Sequence, residues 1–177
     1  MILFWAHAAI AEKWTVVEHG KSLTFSVLTE VPNGDEMVRL DGRFPEWTSD
    51  IYIDFEDLTK SRIRINVDIT AVELRRPSLK AELFSPNWFH AVRHPTAVFI
   101  SQSIDSTEVG FEANGTLSLK GISAPVSLGF EVTRTGDLIR AVGSVSLDRL
   151  VWRIGTSSPA SVVESDVAVA FDFRARN

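Results

Sequence analysis

Three features of this 177-residue chain predict an all-β fold, an antiparallel sandwich or up-and-down barrel interrupted by one or two short helices. Apolar residues recur at every second position, turn-forming clusters separate those runs at short intervals, and the apolar content is ample for a core. Hydrophobic residues make up 45% of the chain, with 11 Phe and 5 Trp. At this length one domain is expected.

The alternation is read in order along the chain. Leu23, Phe25 and Val27 alternate with Ser22, Thr24 and Ser26, so one face is apolar and the other wet. Val38, Leu40, Gly42 and Phe44 repeat the pattern against Arg39, Asp41 and Arg43, as do Ile63, Ile65, Val67 and Ile69 against Arg62, Arg64, Asn66 and Asp68. It returns at Leu117/Leu119, Val126/Leu128/Phe130/Val132, Val145/Leu147 and Val167/Val169/Phe171/Phe173. Turn signals fall at Pro32-Asn33-Gly34-Asp35, Thr48-Ser49-Asp50, Asp57 to Ser61 and Thr135-Gly136-Asp137. Between Pro77 and His94 the period changes: Leu79, Leu83 and Phe84 fit helical spacing, and Ser85-Pro86 offers an N-cap and a first-turn proline to a second short turn. This excursion is placed over an end of the barrel.

Composition narrows the function classes. Eighteen basic against 23 acidic residues give a net charge of −5, so the chain as a whole lacks the positive field that attracts phosphate backbones, and nucleic acid is a poor partner. With no Cys there is no disulfide framework, thiolate metal site or cysteine nucleophile. Residues 1–11 form an apolar run ending in Ala9-Ile10-Ala11, the small-x-small pattern of a signal-peptidase site, ahead of Glu12-Lys13-Trp14. The run is shorter than the ~20 apolar residues of a membrane span and lacks a basic start. It is read as the remnant of an export signal, leaving 12–177 as the domain; the alternative is an apolar end packed on the barrel.

A set of short motifs in consistent order resembles the YceI-like family. It comprises Ser22-Leu23-Thr24-Phe25, Gly42-Arg43-Phe44 with Trp47, Ile51-Tyr52-Ile53-Asp54, Leu83 to Phe89 with Trp88-Phe89, and His94-Pro95-Thr96-Ala97 with Phe99 and Ser101. Gly115-Thr116-Leu117 with Leu119 and Gly121, then Leu147-Asp148-Arg149 with Ile154-Gly155, complete it. No single motif is specific; the ordered set covers nearly the whole chain. The resemblance implies a lipocalin-like antiparallel β-barrel of about eight strands, with the helical excursion near 77–94. It also implies an apolar interior that holds a polyisoprenoid lipid or isoprenoid quinone, no cofactor beyond that ligand, and an exported, periplasmic protein. The Trp-Phe and Leu-Asp-Arg variants resemble the subset found beside b-type membrane cytochromes, which implies a membrane cytochrome as partner. Where many relatives carry His just before the serine of the first strand and at its far end, this chain has Lys21 and Thr29, so headgroup recognition is expected to be built differently or to be weaker.

Catalytic readings are thin. His90 and His94 have ligand-like spacing, but Pro95 pushes the residue before it out of the helical region, so a shared helix face is not expected. Ser22 near His19 has no recognisable acidic orienter. Asp54/Asp57 and Glu164/Asp166 are carboxylate pairs of the right type for acid and base work, read as solvated acids at strand ends. Gly42, Gly115 and Gly121 fit no phosphate loop and are read as bulge or bend positions.

Strand phase points Phe25, Phe44, Ile65, Val67, Phe99, Leu117, Leu119 and Phe130 inward, with Trp88 and Phe89 at an open end. These ten residues are the candidate ligand site. Periodicity alone favours a barrel filled by such side chains; the resemblance favours a cavity. A non-catalytic module of a membrane cytochrome or quinone pathway, with a filled barrel, is the alternative function.

Overall fold

A computed structural model describes residues 11–30 and 36–177. Eleven strands carry the fold: β1 (Glu12–Val16), β2 (Ser22–Glu30), β3 (Met37–Arg43), β4 (Trp47–Ile53), β5 (Arg62–Asp68), β6 (Glu73–Leu74), β7 (Thr96–Ser106), β8 (Phe111–Leu119), β9 (Ile122–Thr135), β10 (Leu138–Asp148) and β11 (Asp166–Arg176). All pairings are antiparallel, and the order β1-β4-β5-β7-β8-β9-β10-β11 closes on itself through a β1–β11 pairing, which makes an eight-stranded barrel. The remaining strands lengthen its wall, β2 pairing with β11 and β3, and β3 with β6.

Register carries the period-two pattern round the barrel. Ser49 faces Ile65, Ile65 faces Phe99, Phe99 faces Leu117 and Leu117 faces Ala124, so one ring of inward residues crosses five strands. A second ring joins Phe111, Phe130, Gly143, Phe171 and Leu23. Because side-chain direction alternates strictly, a one-residue slip in any of these pairs would turn a polar face into the interior. The connections 69–95, 120–121 and 149–165 gather at one end, the upper end. The connections 54–61, 107–110 and 136–137 lie at the lower end.

Several expectations need correction. Thr48-Ser49-Asp50 is not a turn but the middle of β4, where exposed Thr48 and Asp50 alternate with buried Trp47 and Ile51; three polar residues in a row are simply a strand with a small residue on its inner side. Gly42 lies in an unbroken β2–β3 register, where a Cβ would fall 2.4 Å from the Phe25 ring, so its glycine makes room for an aromatic rather than a bend. Lys120 and Gly121, at φ 52° and 76°, form the two-residue turn of the β8–β9 hairpin, which requires positive φ at both positions. Gly115 does sit opposite an irregularity, the register shift between Ser101 and Ser103.

The upper excursion holds a 3-10 turn, Pro77–Leu79, running into one helix, α1 (Lys80–Leu83). The second helical turn expected after Ser85-Pro86 is a pair of tight turns, in which the Ser85 carbonyl accepts from Trp88 and His90 N–H. At the lower end Asp54 is buried, not solvated: its Oδ1 accepts from the Glu56 and Asp57 N–H groups and fixes the turn into Leu58–Lys60. The Pro32–Asp35 turn and the apolar run 1–10 lie outside the described residues.

Candidate functional site

The interior is not filled. A cavity of about 460 Å³ runs from Phe55, Leu58 and Phe111 near the lower end to Leu79, Glu82 and Val162 at the upper end, within the ~300–1,000 Å³ range of small-molecule sites. Leu23, Ile65, Val67, Leu117, Leu119, Phe130 and Phe171 line it and are only half-buried although they point into the barrel. All ten candidate residues line this space, Phe25, Phe44, Ile65, Val67, Phe99, Leu117, Leu119 and Phe130 from the wall and Trp88 and Phe89 from the excursion. Period two could not distinguish a cavity from a packed core, since both demand the same inward residues; the difference lies in how far apart the opposite walls stand.

The lower end is closed by aromatic rings. Trp14 meets Phe55 edge-on at 6.1 Å, Phe55 meets Phe111 at 5.9 Å, and Phe111 stacks on Phe130 at 5.7 Å, with Arg134 over both Trp14 and Phe55. Such contacts add about 0.5–1.5 kcal/mol per pair beyond burial.

Two chain segments make the upper end. The excursion 77–94 carries Phe89 against Phe44 at 6.4 Å and Trp88 against the backbone of Gly155, where a Cβ would lie 2.8 Å from the indole. The segment 149–165 meets it at one side. Gly155 N–H donates to the Asn87 carbonyl at 2.8 Å, and Lys120 Nζ donates to the carbonyls of both Asn87 (3.0 Å) and Arg153 (2.6 Å), bridging the two segments. Burial lowers the Lys120 pKa. On the other side Leu79, Glu82, Ser158 and Val162 line the cavity, and exposed Glu82 and Val162 bring it to the surface.

Arg149 organises the second segment, a role that the Leu147-Asp148-Arg149 motif did not reveal. Only 3% exposed, it donates Nε–H to the Glu164 carbonyl (2.9 Å), Nη1 to Ile154 (2.7 Å) and Gly155 (2.6 Å), and Nη2 to Ser158 and Val163 (2.7 Å each). Five carbonyls take the five N–H bonds of one guanidinium. Burial lowers its pKa while neighbouring Asp148 opposes that.

The polar residues on the cavity are few, Thr29, Glu82, Arg149 and Ser158, all toward the upper end. Arg149 has no N–H left to offer, and Glu82 Oε1 accepts from the Trp88 indole at 3.3 Å. Thr29 does reach the site. Lys21 does not: it lies in the wall, donating to the Trp47 carbonyl at 3.1 Å and paired with Glu18 at 2.6 Å. His90 and His94 come together without a helix, their rings 5.7 Å apart, in a single turn that the His94 N–H closes onto the His90 carbonyl at 3.0 Å. Among the described residues no group of three or more His, Asp or Glu is placed to hold a metal ion.

The model of the YceI-like domain matches residues 14–175. The sequence is 27% identical over 86 residues to a UPF0312 protein of Azotobacter vinelandii, covering 48% of this chain and 45% of that protein. It is 22% identical over 96 residues to Protein YceI of Escherichia coli, covering 54% and 50%; the chain thus spans about half the length of these curated relatives. Among solved structures, the fold is similar to Burkholderia cenocepacia BcnA, with TM-score 0.79 and 18% identity over 90% of this chain and 98% of that one. It is also similar to a polyisoprenoid binding domain from Saccharophagus degradans implicated in plant cell wall breakdown, with TM-score 0.69 and 14% identity over 95% and 99%.

Proposed function

Since the chain belongs to the YceI-like family, we propose that its barrel binds and shields a polyisoprenoid lipid or isoprenoid quinone, as a periplasmic carrier or storage protein. The observation that carries this is the apolar cavity of about 460 Å³, long enough to reach from the Phe55 cluster to the upper rim. The similarity to a polyisoprenoid binding domain supports it, and Ala9-Ile10-Ala11 supports export.

Energetics favours a long chain. Each buried CH₂ contributes about 0.8 kcal/mol, whereas association costs about 4–15 kcal/mol. Ten such groups only offset the cost; about twenty give useful affinity without any charge. A binding role also suits the polar lining. The carboxylate among those residues sits at the rim, the guanidinium is committed to carbonyls, and neither Thr29 nor Ser158 has a histidine beside it on the cavity.

Organic extraction and native mass spectrometry of purified protein, beside titration with a fluorescent isoprenoid analogue, test the proposal. Ala141 is buried in β10 and lines the cavity, so Ala141→Phe should obstruct it. Saturable binding to the parent and at least tenfold weaker binding to a folded Ala141→Phe protein, a difference of about 1.4 kcal/mol, is expected. Equal binding by both proteins, or none by either, refutes a ligand inside the barrel.

A further inference from the structure

The cavity is polar at one end only. Its lower end is closed by the rings of Trp14, Phe55 and Phe111, and the polar residues on its lining, Thr29, Glu82, Arg149 and Ser158, all lie toward the upper end. A molecule with an apolar tail and a polar head is therefore held tail-first, its head at the mouth between Glu82 and Val162. What that head can be depends on what those four residues still have to offer.

Arg149 offers nothing, since all five of its N–H bonds go to carbonyls. Thr29 and Ser158 offer hydroxyls, which are neutral and can donate or accept. Glu82 offers a charged acceptor: its Oε1 takes the Trp88 indole N–H at 3.3 Å, while the side chain forms no ion pair with a described residue. No other cation stands on the lining to neutralise it. Lys120 Nζ is bonded to the Asn87 and Arg153 carbonyls, and Arg75, Arg76, Lys80, Arg93 and Arg153, though at this end, are absent from the cavity wall. Residues 1–10 and 31–35 contain no Lys or Arg. Acids continue around the same end, with Glu30, Asp68, Asp148 and Asp166 at strand termini and Glu46 just before β4. A phosphorylated head would thus meet the Glu82 carboxylate with no cation between them, and like charges at such range repel. A hydroxyl on an uncharged head would instead donate to it, in a charge-assisted hydrogen bond.

We propose that the mouth selects isoprenoids by the charge of the head: Glu82 accepts an uncharged, hydroxyl-bearing head, as on a polyprenol or a quinol, and rejects a phosphorylated one. Glu82 is then the specificity-determining residue, acting as much by repelling the wrong head as by bonding the right one. This deepens the lipid-binding reading and rests on it.

Competition against the fluorescent isoprenoid analogue, with ligand-free protein and lipids below their micellar concentrations, tests it. Geranylgeraniol, geranylgeranyl methyl ether and geranylgeranyl diphosphate share one tail, so their differences report the head alone. Geranylgeraniol should bind at least about tenfold tighter than the diphosphate, a gap that narrows as salt screens the repulsion, and severalfold tighter than the ether, which has no proton to donate. Glu82 is exposed on α1, so its substitution leaves the core alone. Glu82→Gln, which can still accept the indole N–H, should narrow the gap severalfold, and Glu82→Lys should reverse it; Glu56→Gln at the lower end should do neither. A menaquinol with the same geranylgeranyl tail, run beside geranylgeraniol, distinguishes the two sources of the hydroxyl by which binds tighter. Diphosphate binding as tight as the alcohol's, ether binding as tight as the alcohol's, or a gap unaltered in both Glu82 variants overturns the proposal. If neither the analogue nor any of these lipids binds, the cavity reading falls and this one with it; if all bind alike, the cavity reading stands and the selective mouth alone falls.

Discussion

Removing the guanidinium of Arg149 should cost far more than its position in a connection between strands would indicate. In Arg149→Leu, five carbonyls lose their donor; the bonds to Ile154, Gly155 and Val163 are fully buried, and those to Glu164 and Ser158 partly so. Hydrogen bonds to a charged group contribute about 1.5–3 kcal/mol each, so the three buried ones alone amount to roughly 4.5–9 kcal/mol gross. Against this, the native state no longer pays to keep a cation without a carboxylate partner out of water, a relief of several kcal/mol. The difference is about 3–5 kcal/mol, the usual result of breaking one side of a buried charged network. For a domain of this size each kcal/mol moves the melting temperature by about 2–4 °C, so a drop of about 6–20 °C is expected. Arg149→Lys separates charge from shape, because an ammonium with three donors on a flexible stem cannot span five converging carbonyls; it should lose about 2–4 kcal/mol. Urea unfolding of ligand-free protein followed by tryptophan fluorescence measures both. If each variant stays within about 1 kcal/mol of the parent, the carbonyls have other partners and the account of this segment fails; full rescue by Lys would show that charge, not the fork, holds it.

Trp88→Ala distinguishes a gate from a plug: the half-buried indole spans Glu82, Gly155 and Arg149, so isoprenoid uptake should change severalfold with little change in melting temperature, whereas a core role would cost about 3–5 kcal/mol. Leu119→Asp puts a carboxylate on the cavity wall and should unfold the domain or abolish binding, at several kcal/mol; a folded variant of unchanged stability and affinity would place Leu119 outside. Stability should fall with acid in two stages. His94 is held below the ordinary imidazole value by burial, then by His90, Arg93 and Lys120, so the fold prefers it neutral; its contribution is complete above about pH 6.5 and declines below. Asp57, Asp68 and Asp172 are lowered chiefly by hydrogen bonds from Thr59, Thr70 and Arg140. Their stabilisation is present above about pH 4 and is lost as pH falls through the lowered values. Urea midpoints across pH should show both stages in the parent and only the second in His94→Gln; an unaltered profile in that variant removes His94 from the account.

The strands were legible because the period of two is a local property: Ile63, Ile65 and Val67 state the phase of β5 without reference to any partner. β4 escaped for the same reason, since Ser49 breaks the apolar phase between Trp47 and Ile51 and only its pairing with Ile65 shows it to be inward. The site was legible as a set of residues but not as a space, because the separation of opposite walls follows from strand number and closure, which no short window contains. Arg149 was least legible of all. A buried cation is expected to announce itself through an acidic partner, but here the counter-dipoles are main-chain carbonyls spread from Ile154 to Glu164, groups that every residue possesses and that side-chain identity does not mark. Where a fold satisfies a charge with backbone, the sequence retains only the charge. The useful signal is then a basic residue at the end of an apolar strand phase, followed by a connection rich in small residues that can wrap around it, as Gly155, Ser157, Ser158, Ala160 and Ser161 do after Leu147-Asp148-Arg149.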